Sequence, residues 1–191
     1  MSAAPPLWYF AYGANMAATV LARRRVQPSR SIAATLADYA LRFNHPGVPP
    51  LEPVFANIEP APGATVYGVA HQITPGEAAI FDSFEPGYRR IPVPLRLADG
   101  STVAAFAYTT IAPGTPAIPS ARYLGLLIAG AQAYSLPADL IAAWEALRIG
   151  ASPTSQTAPP AAHLQALRTP GPDNHLPADL LRTWKPPPED N

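Results

Sequence analysis

Proline is the feature of this sequence that most restricts how the chain can fold. It occurs 26 times in 191 residues and is densest between Pro153 and Pro188. Proline has no amide hydrogen to donate and a fixed φ angle, so a proline-rich segment cannot form a central strand or the interior of a helix. We therefore predict a folded domain over residues 1–150, followed by a proline-rich C-terminal arm over residues 151–191.

The arm itself has two parts. Residues 150–174 combine proline with alanine, serine and threonine, and this composition cannot bury enough apolar surface to become ordered. Further on, Leu176, Leu180 and Trp184 are spaced four residues apart, which places them on one face of a short helix. We expect this helix to dock back on the domain or on a second subunit, and the second arrangement would make a homodimer.

The charge balance of the chain indicates which partners it is unable to attract. Lysine and arginine together number 13, as do aspartate and glutamate, so the formal net charge at pH 7 is +0. A neutral chain has no general attraction to nucleic acid or to an anionic membrane surface, and we expect neither as a partner. The sequence contains no apolar run of about 18 residues, and its first residues do not resemble a secretory signal. We therefore expect a cytoplasmic protein.

Cysteine is absent, which excludes disulfides, a thiolate nucleophile and zinc–sulfur sites. The four histidines are His45, His71, His163 and His175, and none of them shows the i, i+3 or i+4 spacing of a metal-binding pair. Motifs of serine hydrolases, phosphate-binding loops and dinucleotide-binding proteins are also missing. We expect neither a metal nor a cofactor.

Local patterns predict strands and helices with mostly antiparallel pairing. The hairpin at 91–110 has the clearest signal, because Asp99-Gly100 separates two alternating runs. The segment 31–43 is ambiguous, because its alanines favour a helix while YALRF alternates like a strand, and we predict a strand in its second half after a turn at Asp38. The other predicted elements are a strand at 8–12, a helix capped by Asn15, two extended runs in 55–73 joined by a turn at 59–63, a helix at 74–84, and helices at 120–136 and 136–147. This order indicates an α+β fold.

The loop after the first strand has two interpretations. The stretch YFAYGANM, residues 9–16, passes from aromatic residues directly into Gly13 and Asn15. Glycine permits backbone angles closed to other residues, and asparagine tolerates the left-handed region, so successive amides here could form a concave site for an anion. Alternatively, this is a strand-to-helix turn in which Asn15 caps the helix, and such caps are the commoner structure.

The stretch FDSFEPGYRR, residues 81–90, places a carboxylate in an unfavourable position. Glu85 comes where a short helix must end, close to Phe84 and Tyr88. A negative charge at a helix C-terminus opposes the helix dipole, and an apolar environment penalises the ionised form. An uncompensated carboxylate of this kind is typical of a general acid/base. A solvated glutamate in a loop is the alternative.

Four segments, taken together, resemble the gamma-glutamylcyclotransferase-like family, which usually reads YGSNM in its first loop, has a glutamate-glycine loop after the small helix and reads YLxxLxxGAxxxGLP in its late helix. The resemblance covers residues 8–147. The segments are YFAYGANM, FANIEPAPGATVYGVAHQI, FDSFEPGYRRIPV and ARYLGLLIAGAQAYSLPADLIAAW. The resemblance implies a small, mixed and mostly antiparallel β-barrel with flanking helices around a pocket. It also implies that a gamma-glutamyl compound is cyclised to 5-oxoproline with release of the attached amine.

The resemblance also implies roles for individual residues. Glu85 matches the general acid/base of the family, and Tyr88 aligns with a family tyrosine that faces the pocket. Tyr123 matches the tyrosine that opens the late helix, where its phenol could bond the substrate or Glu85; alternatively, it is an ordinary core aromatic on one face with Leu127 and Tyr134. The loop would hold the glutamyl head group, mainly through backbone amides, and it consists of Tyr12, Gly13, Ala14 and Asn15. Ala14 replaces the usual serine, which keeps the amide but removes a hydroxyl donor worth about 0.5–1.5 kcal/mol.

Two other functions stay open from the sequence. A non-catalytic binding module could keep the same pocket to sense a small carboxylate metabolite. An interaction protein could act through the proline-rich arm, and its partner would be lost when residues 150–191 are removed.

Removing residues 151–191 should leave the domain folded and its turnover of a gamma-glutamyl substrate within about tenfold, or about 1.4 kcal/mol in activation free energy. We expect this because the residues implied in the chemistry end at Tyr123. Circular dichroism and 5-oxoproline release measure the two properties. A truncated protein that folds but has lost its turnover would show that the arm covers the pocket.

Overall fold

Five strands close into a barrel in the computed structural model, which describes residues 5–151 of the chain. Neighbouring strands follow the order β1–β3–β2–β4–β5, and β5 pairs with β1 to close the barrel. The β1–β5 pair is parallel and the other four pairs are antiparallel. The strands are β1 (Leu7–Ala11), β2 (Arg30–Val48), β3 (Glu52–Ile73), β4 (Tyr88–Leu97) and β5 (Thr102–Thr110). The predicted α+β class and the mixed, mostly antiparallel barrel are confirmed.

Four α-helices flank the barrel, and a 3₁₀ turn precedes the first of them. The turn spans Ala14–Met16. The helices are α1 (Ala18–Arg23), α2 (Pro75–Phe84), α3 (Ala121–Ala133) and α4 (Ala138–Gly150). Within residues 5–151, no helix is long and apolar enough to cross a membrane. The predicted arm, residues 151–191, lies outside the described residues except for its first residue.

Capping side chains explain why two helices begin where the sequence predicts. Thr74 Oγ1 accepts a hydrogen bond from the amide of Glu77, and the Glu77 carboxylate accepts one from the amide of Thr74, so both donors at the start of α2 are satisfied. At α3 the hydroxyl of Ser120 accepts from the amide of Tyr123. The predicted hairpin is also correct, and its turn residue Gly100 has a φ of +85°.

The segments 31–43 and 55–73 differ from the prediction. The structure has no helix in the first half of 31–43 and no chain reversal at 59–63, because β2 and β3 pair with each other along nearly their whole length. These ladder hydrogen bonds outweigh the weak helix preference of the alanines. Asp38 lies in an irregularity of β2 with a φ of +62°, and its Oδ1 accepts from the amide of Gly63 at 2.8 Å.

Helix α3 packs directly on the loop that follows β1. Met16, in the 3₁₀ turn, is completely buried. A Cβ atom on Gly130 of α3 would lie 2.5 Å from the Met16 Cβ, so only a residue without a side chain allows this approach. Trp144 and Leu147 of α4 are buried, and α4 packs on α3. The loop after β1 is therefore held between the barrel and α3.

His71 of β3 ties the same loop to the barrel wall. Its side chain is fully buried, its Nδ1 lies 2.8 Å from the Ser31 hydroxyl, and its Nε2 lies 3.2 Å from the backbone oxygen of Asn15. Because a carbonyl oxygen can only accept, the ring hydrogen belongs on Nε2 and Nδ1 accepts from Ser31. Burial lowers the pKa of His71 to about 4, so the imidazole is neutral at neutral pH.

Lowering the pH from 7.5 to 5 should reduce the free energy of unfolding by about 2 kcal/mol through His71. Above pH 6.5 the imidazole is neutral in both states. Below pH 6.5 His71 binds a proton in the unfolded chain but not in the folded protein, where its pKa is about 4. Stability is therefore lost as the pH falls. Urea unfolding at several pH values measures this loss. His71→Gln, whose amide can still donate to Asn15, should show a much smaller loss, and an equal loss would assign the effect to other groups.

Candidate active site

A cavity of about 380 Å³ opens at one end of the barrel, within the size range of small-molecule sites. The loop after β1, the end of α2 and the start of α3 form its walls. All seven residues that the sequence singles out line this cavity: Tyr12, Gly13, Ala14, Asn15, Glu85, Tyr88 and Tyr123. The structure thus brings together residues that are up to 111 positions apart in the chain, while their roles stay predictions.

Glu85 is a partly buried carboxylate with two hydrogen-bond donors. It ends α2, and 14% of its side chain is exposed. Arg24 Nη1 lies 2.7 Å and Asn15 Nδ2 lies 3.0 Å from Glu85 Oε1. The prediction of an uncompensated charge is therefore wrong, because the end of α1 packs against the end of α2. No described residue donates a hydrogen bond to Oε2, the second oxygen.

Asn15 does not cap α1, so that part of the turn interpretation is also wrong. The helix begins after Ala17 without any side-chain cap, and Asn15 is not among the described residues with a positive φ. Its side chain is 7% exposed, and Nδ2 donates to the Tyr9 hydroxyl at 2.7 Å as well as to Glu85. The carboxylate fixes the orientation of the amide, since it can only accept. Asn15 Oδ1 is buried and has no partner among the described residues.

Space, rather than backbone freedom, explains the glycine in the loop. Gly13 has φ −128° and ψ −145°, so the expected left-handed conformation is wrong. A Cβ atom there would lie 2.9 Å from the Tyr123 hydroxyl oxygen. In the 3₁₀ turn that follows, the amides of Met16 and Ala17 bond to the carbonyls of Gly13 and Ala14. The amides of Ala14 and Asn15 have no backbone acceptor among the described residues, and the Ala14 amide interacts with the Tyr123 hydroxyl oxygen. The cradle stays a prediction.

Two phenols are oriented by one residue of β3. The Tyr123 hydroxyl accepts a hydrogen bond from the amide of Ala56 at 3.1 Å, and the Tyr88 hydroxyl donates to the carbonyl of Ala56 at 2.7 Å. The Tyr88 ring also stacks on His45, with 3.8 Å between the ring centroids. Burial raises the pKa of both tyrosines, so both stay protonated near neutral pH. The Tyr123 proton has no acceptor among the described residues and is available to a ligand.

Tyr12 lines the cavity, but its hydroxyl is bonded to the barrel. Its side chain is buried, and its hydroxyl donates to the carbonyl of Tyr108 in β5. Burial also raises the pKa of Tyr12. This bond fixes the start of the loop to the barrel and leaves the phenol of Tyr12 unable to donate to a ligand.

Sequence reasoning missed several cavity residues, of which Tyr9 and Arg24 matter most. Tyr9 precedes the loop in β1, and its hydroxyl accepts from Asn15. The two-residue period of a strand could have placed it on the same face as Ala11. In the sequence, the arginines at 23–25 suit the C-terminal end of the helix after Asn15, where they favour the helix dipole. No local pattern predicts the bond of Arg24 to Glu85, since the two are 61 positions apart.

Comparison with known proteins gives one family. The family described as "Gamma-glutamyl cyclotransferase, AIG2-like" matches residues 9–125. Gamma-glutamyl cyclotransferase gliK of Aspergillus fumigatus is 29% identical over 173 residues, covering 73% of this chain and 63% of that protein. Gamma-glutamyl cyclotransferase verK of Clonostachys rogersoniana is 35% identical over 71 residues, covering 36% of this chain and 40% of that protein. The chain thus spans less than two thirds of the length of these relatives.

Solved structures share the fold. A crystal structure of the uncharacterized human protein loc79017 has a TM-score of 0.67 at 22% identity, and the match covers 86% of this chain and 99% of that one. A structure named gamma-glutamyl cyclotransferase has a TM-score of 0.65 at 21% identity, covering 85% of this chain and 98% of that one. At these identities the likeness concerns the barrel and its helices.

Gly13→Ala should lower the free energy of unfolding by about 1–3 kcal/mol, the usual effect of overpacking, because its methyl group would displace the Tyr123 hydroxyl. In a Tyr123→Phe background the same substitution should cost at least about 0.5 kcal/mol less, since the clashing oxygen is gone. Denaturant unfolding of the four proteins measures this coupling. Gly125→Ala in α3, where the nearest atom is 3.8 Å from a new Cβ, is the control and should not be destabilising. Equal costs in both backgrounds would contradict the proposed steric role.

Proposed function

The chain belongs to the AIG2-like gamma-glutamyl cyclotransferase family, and from this we propose that it cyclises a gamma-glutamyl amino acid, peptide or amine to 5-oxoproline and releases the amine. The observation that carries the proposal is the arrangement around Glu85. A single carboxylate, held by two donors at Oε1, lines the cavity beside the loop of Gly13 to Asn15. Both relatives are named gamma-glutamyl cyclotransferases, which supports the same reaction class.

The nucleophile in this reaction belongs to the substrate. Glu85 takes a proton from the alpha-ammonium group, and the freed nitrogen attacks the gamma-carbonyl carbon. A carbon–nitrogen bond of the five-membered ring forms. The bond from that carbon to the departing nitrogen then breaks, and Glu85 returns its proton to this nitrogen, which leaves as an amine. The ring nitrogen gives up its second proton, and the released amine takes up one proton to become an ammonium ion, so the charges balance. An intramolecular attack of this kind can reach effective molarities of about 10⁵ M or more when the groups are well oriented.

The two carboxylate oxygens of Glu85 differ in their hydrogen bonds, and this difference supports the proposed proton transfer. Oε1 already accepts from two donors, while Oε2 accepts from no described residue. We therefore assign Oε2 to the substrate nitrogen. A general acid/base acts over a hydrogen-bond distance, so this assignment places the ammonium beside the end of α2.

The loop and Tyr123 would bind the rest of the head group. Ala14 and Asn15 line the cavity, and their amides, which have no backbone acceptor among the described residues, would suit the alpha-carboxylate. The Tyr123 hydroxyl, whose proton has no acceptor among the described residues, suits a substrate oxygen. Ala14 offers no hydroxyl where the family usually has serine, so the head group depends here on amides.

A binding module for a small carboxylate metabolite is the second candidate, and one observation favours it. The charge of Glu85 is paired with Arg24 at 2.7 Å. A paired carboxylate costs a binding protein little, so the presence of Glu85 alone does not require catalysis.

Replacing Glu85 with glutamine should reduce turnover by at least about 10², the low end of general acid–base catalysis. The wild-type protein is incubated with gamma-glutamyl-alanine, gamma-glutamyl-lysine and glutathione, and 5-oxoproline is measured by mass spectrometry. Because Glu85 is paired with Arg24, Glu85→Gln should lose a little stability rather than gain it. Glu145→Gln in α4, outside the cavity, is the matched control and should keep wild-type turnover.

Two results would contradict this reading of Glu85. If Glu85→Gln keeps most of the wild-type rate, Glu85 is not the acid/base. If the wild type releases no 5-oxoproline from a broad panel but is stabilised against heat by 5-oxoproline or glutamate, the protein is a binding module.

A further inference from the structure

We propose that Arg23 forms a subsite at the mouth of the cavity that binds a carboxylate on the departing amine. The preferred substrates are then gamma-glutamyl amino acids and peptides rather than gamma-glutamyl amines. This inference rests on the proposed cyclisation and deepens it by naming the substrate class. Arg23 is the last residue of α1, lines the cavity and is exposed to solvent, so it lies at the opening. Asn15 and Tyr123, beside which the head group would bind, are buried, and the departing group would extend from there towards Arg23.

Arg23 is the arginine of the lining whose charge has no partner within residues 5–151. Arg24 and Arg122 line the same cavity. Arg24 Nη1 lies 2.7 Å from Glu85 Oε1, and Arg122 Nη2 lies 2.5 Å from Glu52 Oε1. Arg23 forms no ion pair, hydrogen bond or ring contact with any described residue. Its guanidinium therefore keeps its donors for a ligand.

The other described side chains of the lining do not offset the charge of Arg23. Glu85 is the one carboxylate among them, and it already accepts from Arg24 and Asn15. His45 is neutral near pH 7, because burial lowers its pKa. Burial raises the pKa of the lining phenols, which are therefore neutral as well: Tyr9, Tyr12, Tyr88, Tyr108 and Tyr123. The lining thus carries more positive than negative charge, and this excess attracts an anion.

The charge of the substrate complements this excess when the departing group is anionic. The glutamyl head group has one ammonium and one carboxylate, so it contributes no net charge. A departing amino acid or peptide adds a carboxylate, whereas a simple amine adds no charge and a polyamine adds positive charge. The planar guanidinium of arginine presents paired N–H donors that match the two oxygens of a carboxylate. Arg23 therefore favours departing groups that end in a carboxylate.

Helix geometry explains why two adjacent arginines have different surroundings. Successive residues of a helix are turned by about 100° about its axis. Arg24 is turned towards the end of α2, where it bonds to Glu85 and its guanidinium carbon lies 4.8 Å from the ring centroid of Phe84. Val20, three residues before Arg23 and on the same face, also lines the cavity. Because Val20 is buried and Arg23 is exposed, this wall changes from apolar to charged towards the opening.

Two substrates that differ only in the departing carboxylate test the inference, gamma-glutamyl-alanine and gamma-glutamyl-alaninamide. Their kcat/KM values are measured through 5-oxoproline release with the full-length wild type and with Arg23→Gln. The ratio of the two values, acid over amide, should fall about fivefold in Arg23→Gln, the size expected for an ion pair at an exposed residue. Comparing this ratio between proteins cancels the difference in intrinsic reactivity of the two substrates. In about 0.5 M sodium chloride the wild-type ratio should fall as well, because salt screens exposed charges.

Two further variants separate recognition from damage to the fold. Arg89→Gln is the matched control: Arg89 is an exposed arginine of β4, does not line the cavity, and follows Tyr88 on the opposite face of the strand. It should leave the ratio unchanged. Arg23→Glu should raise kcat/KM for gamma-glutamyl-ethylenediamine, whose departing group carries an ammonium, above the wild-type value. A merely structural role of Arg23 would not produce this gain.

A second measurement does not depend on turnover. Isothermal titration calorimetry gives the Kd values of the acid and the amide for Glu85→Gln, in which the proposed cyclisation is blocked. In the double variant Arg23→Gln/Glu85→Gln the acid should bind about fivefold more weakly, and the amide should bind as before.

The outcomes separate this inference from the proposed function. A wild type without turnover removes the cyclisation, and calorimetry then still tests the carboxylate subsite. Binding of neither compound by such a protein overturns both. The role of Arg23 is overturned if the folded Arg23→Gln variant keeps the wild-type ratio, or loses the acid and the amide equally. A ratio that falls in Arg122→Gln but not in Arg23→Gln would instead place the carboxylate at the start of α3.

Discussion

The buried side chain and backbone of Asn15 connect three parts of the molecule that are far apart in the sequence. Its Nδ2 donates to Tyr9 of β1 and to Glu85 at the end of α2, and its carbonyl oxygen accepts from His71 of β3. The amide cannot turn to satisfy its orphaned Oδ1, because rotation would direct an oxygen at the carboxylate. An unsatisfied buried acceptor costs about 1–3 kcal/mol. The unsatisfied acceptor therefore lowers stability, while the two hydrogen bonds from Nδ2 connect Glu85 to the barrel.

The long third strand supplies the other fixed points of the site. β3 pairs with β2 along nearly its whole length and with β1 at its far end. Ala56, in its first half, orients the phenols of Tyr88 and Tyr123 with its carbonyl and its amide. His71, near its end, holds the loop after β1. One strand, β3, therefore positions residues of α3, β4 and the loop. Its backbone cannot shift without breaking its hydrogen bonds to β2.

Features that depend on residues close together in the sequence are predictable from it, and features that depend on residues far apart are not. The caps of α2 and α3 and the turn at Asp99-Gly100 are local, so the sequence alone predicts the hairpin, and Ser120 predicts the start of α3. Asn15 does not cap α1, because its amide bonds to Tyr9 and Glu85 instead. The cavity residues were found together through ordered motifs rather than through local chemistry. What failed depends on partners remote in the chain: the pairing of Glu85 with Arg24, and the glycine at position 13, which is explained by a phenol 110 residues away. No spacing rule encodes such contacts.

The protonation states of the cavity lining restrict how a proton can move there. Burial lowers the pKa of His45, so this imidazole is neutral at pH 7, and arginine does not release its proton. The phenols of the lining are kept protonated because burial raises the pKa of each: Tyr9, Tyr12, Tyr88, Tyr108 and Tyr123. Among the described lining residues, Glu85 is the one carboxylate, and His45 Nδ1 is already engaged with the Thr110 hydroxyl. In the proposed cyclisation we therefore assign to Glu85 both the uptake of a proton from the ammonium and its return to the departing amine.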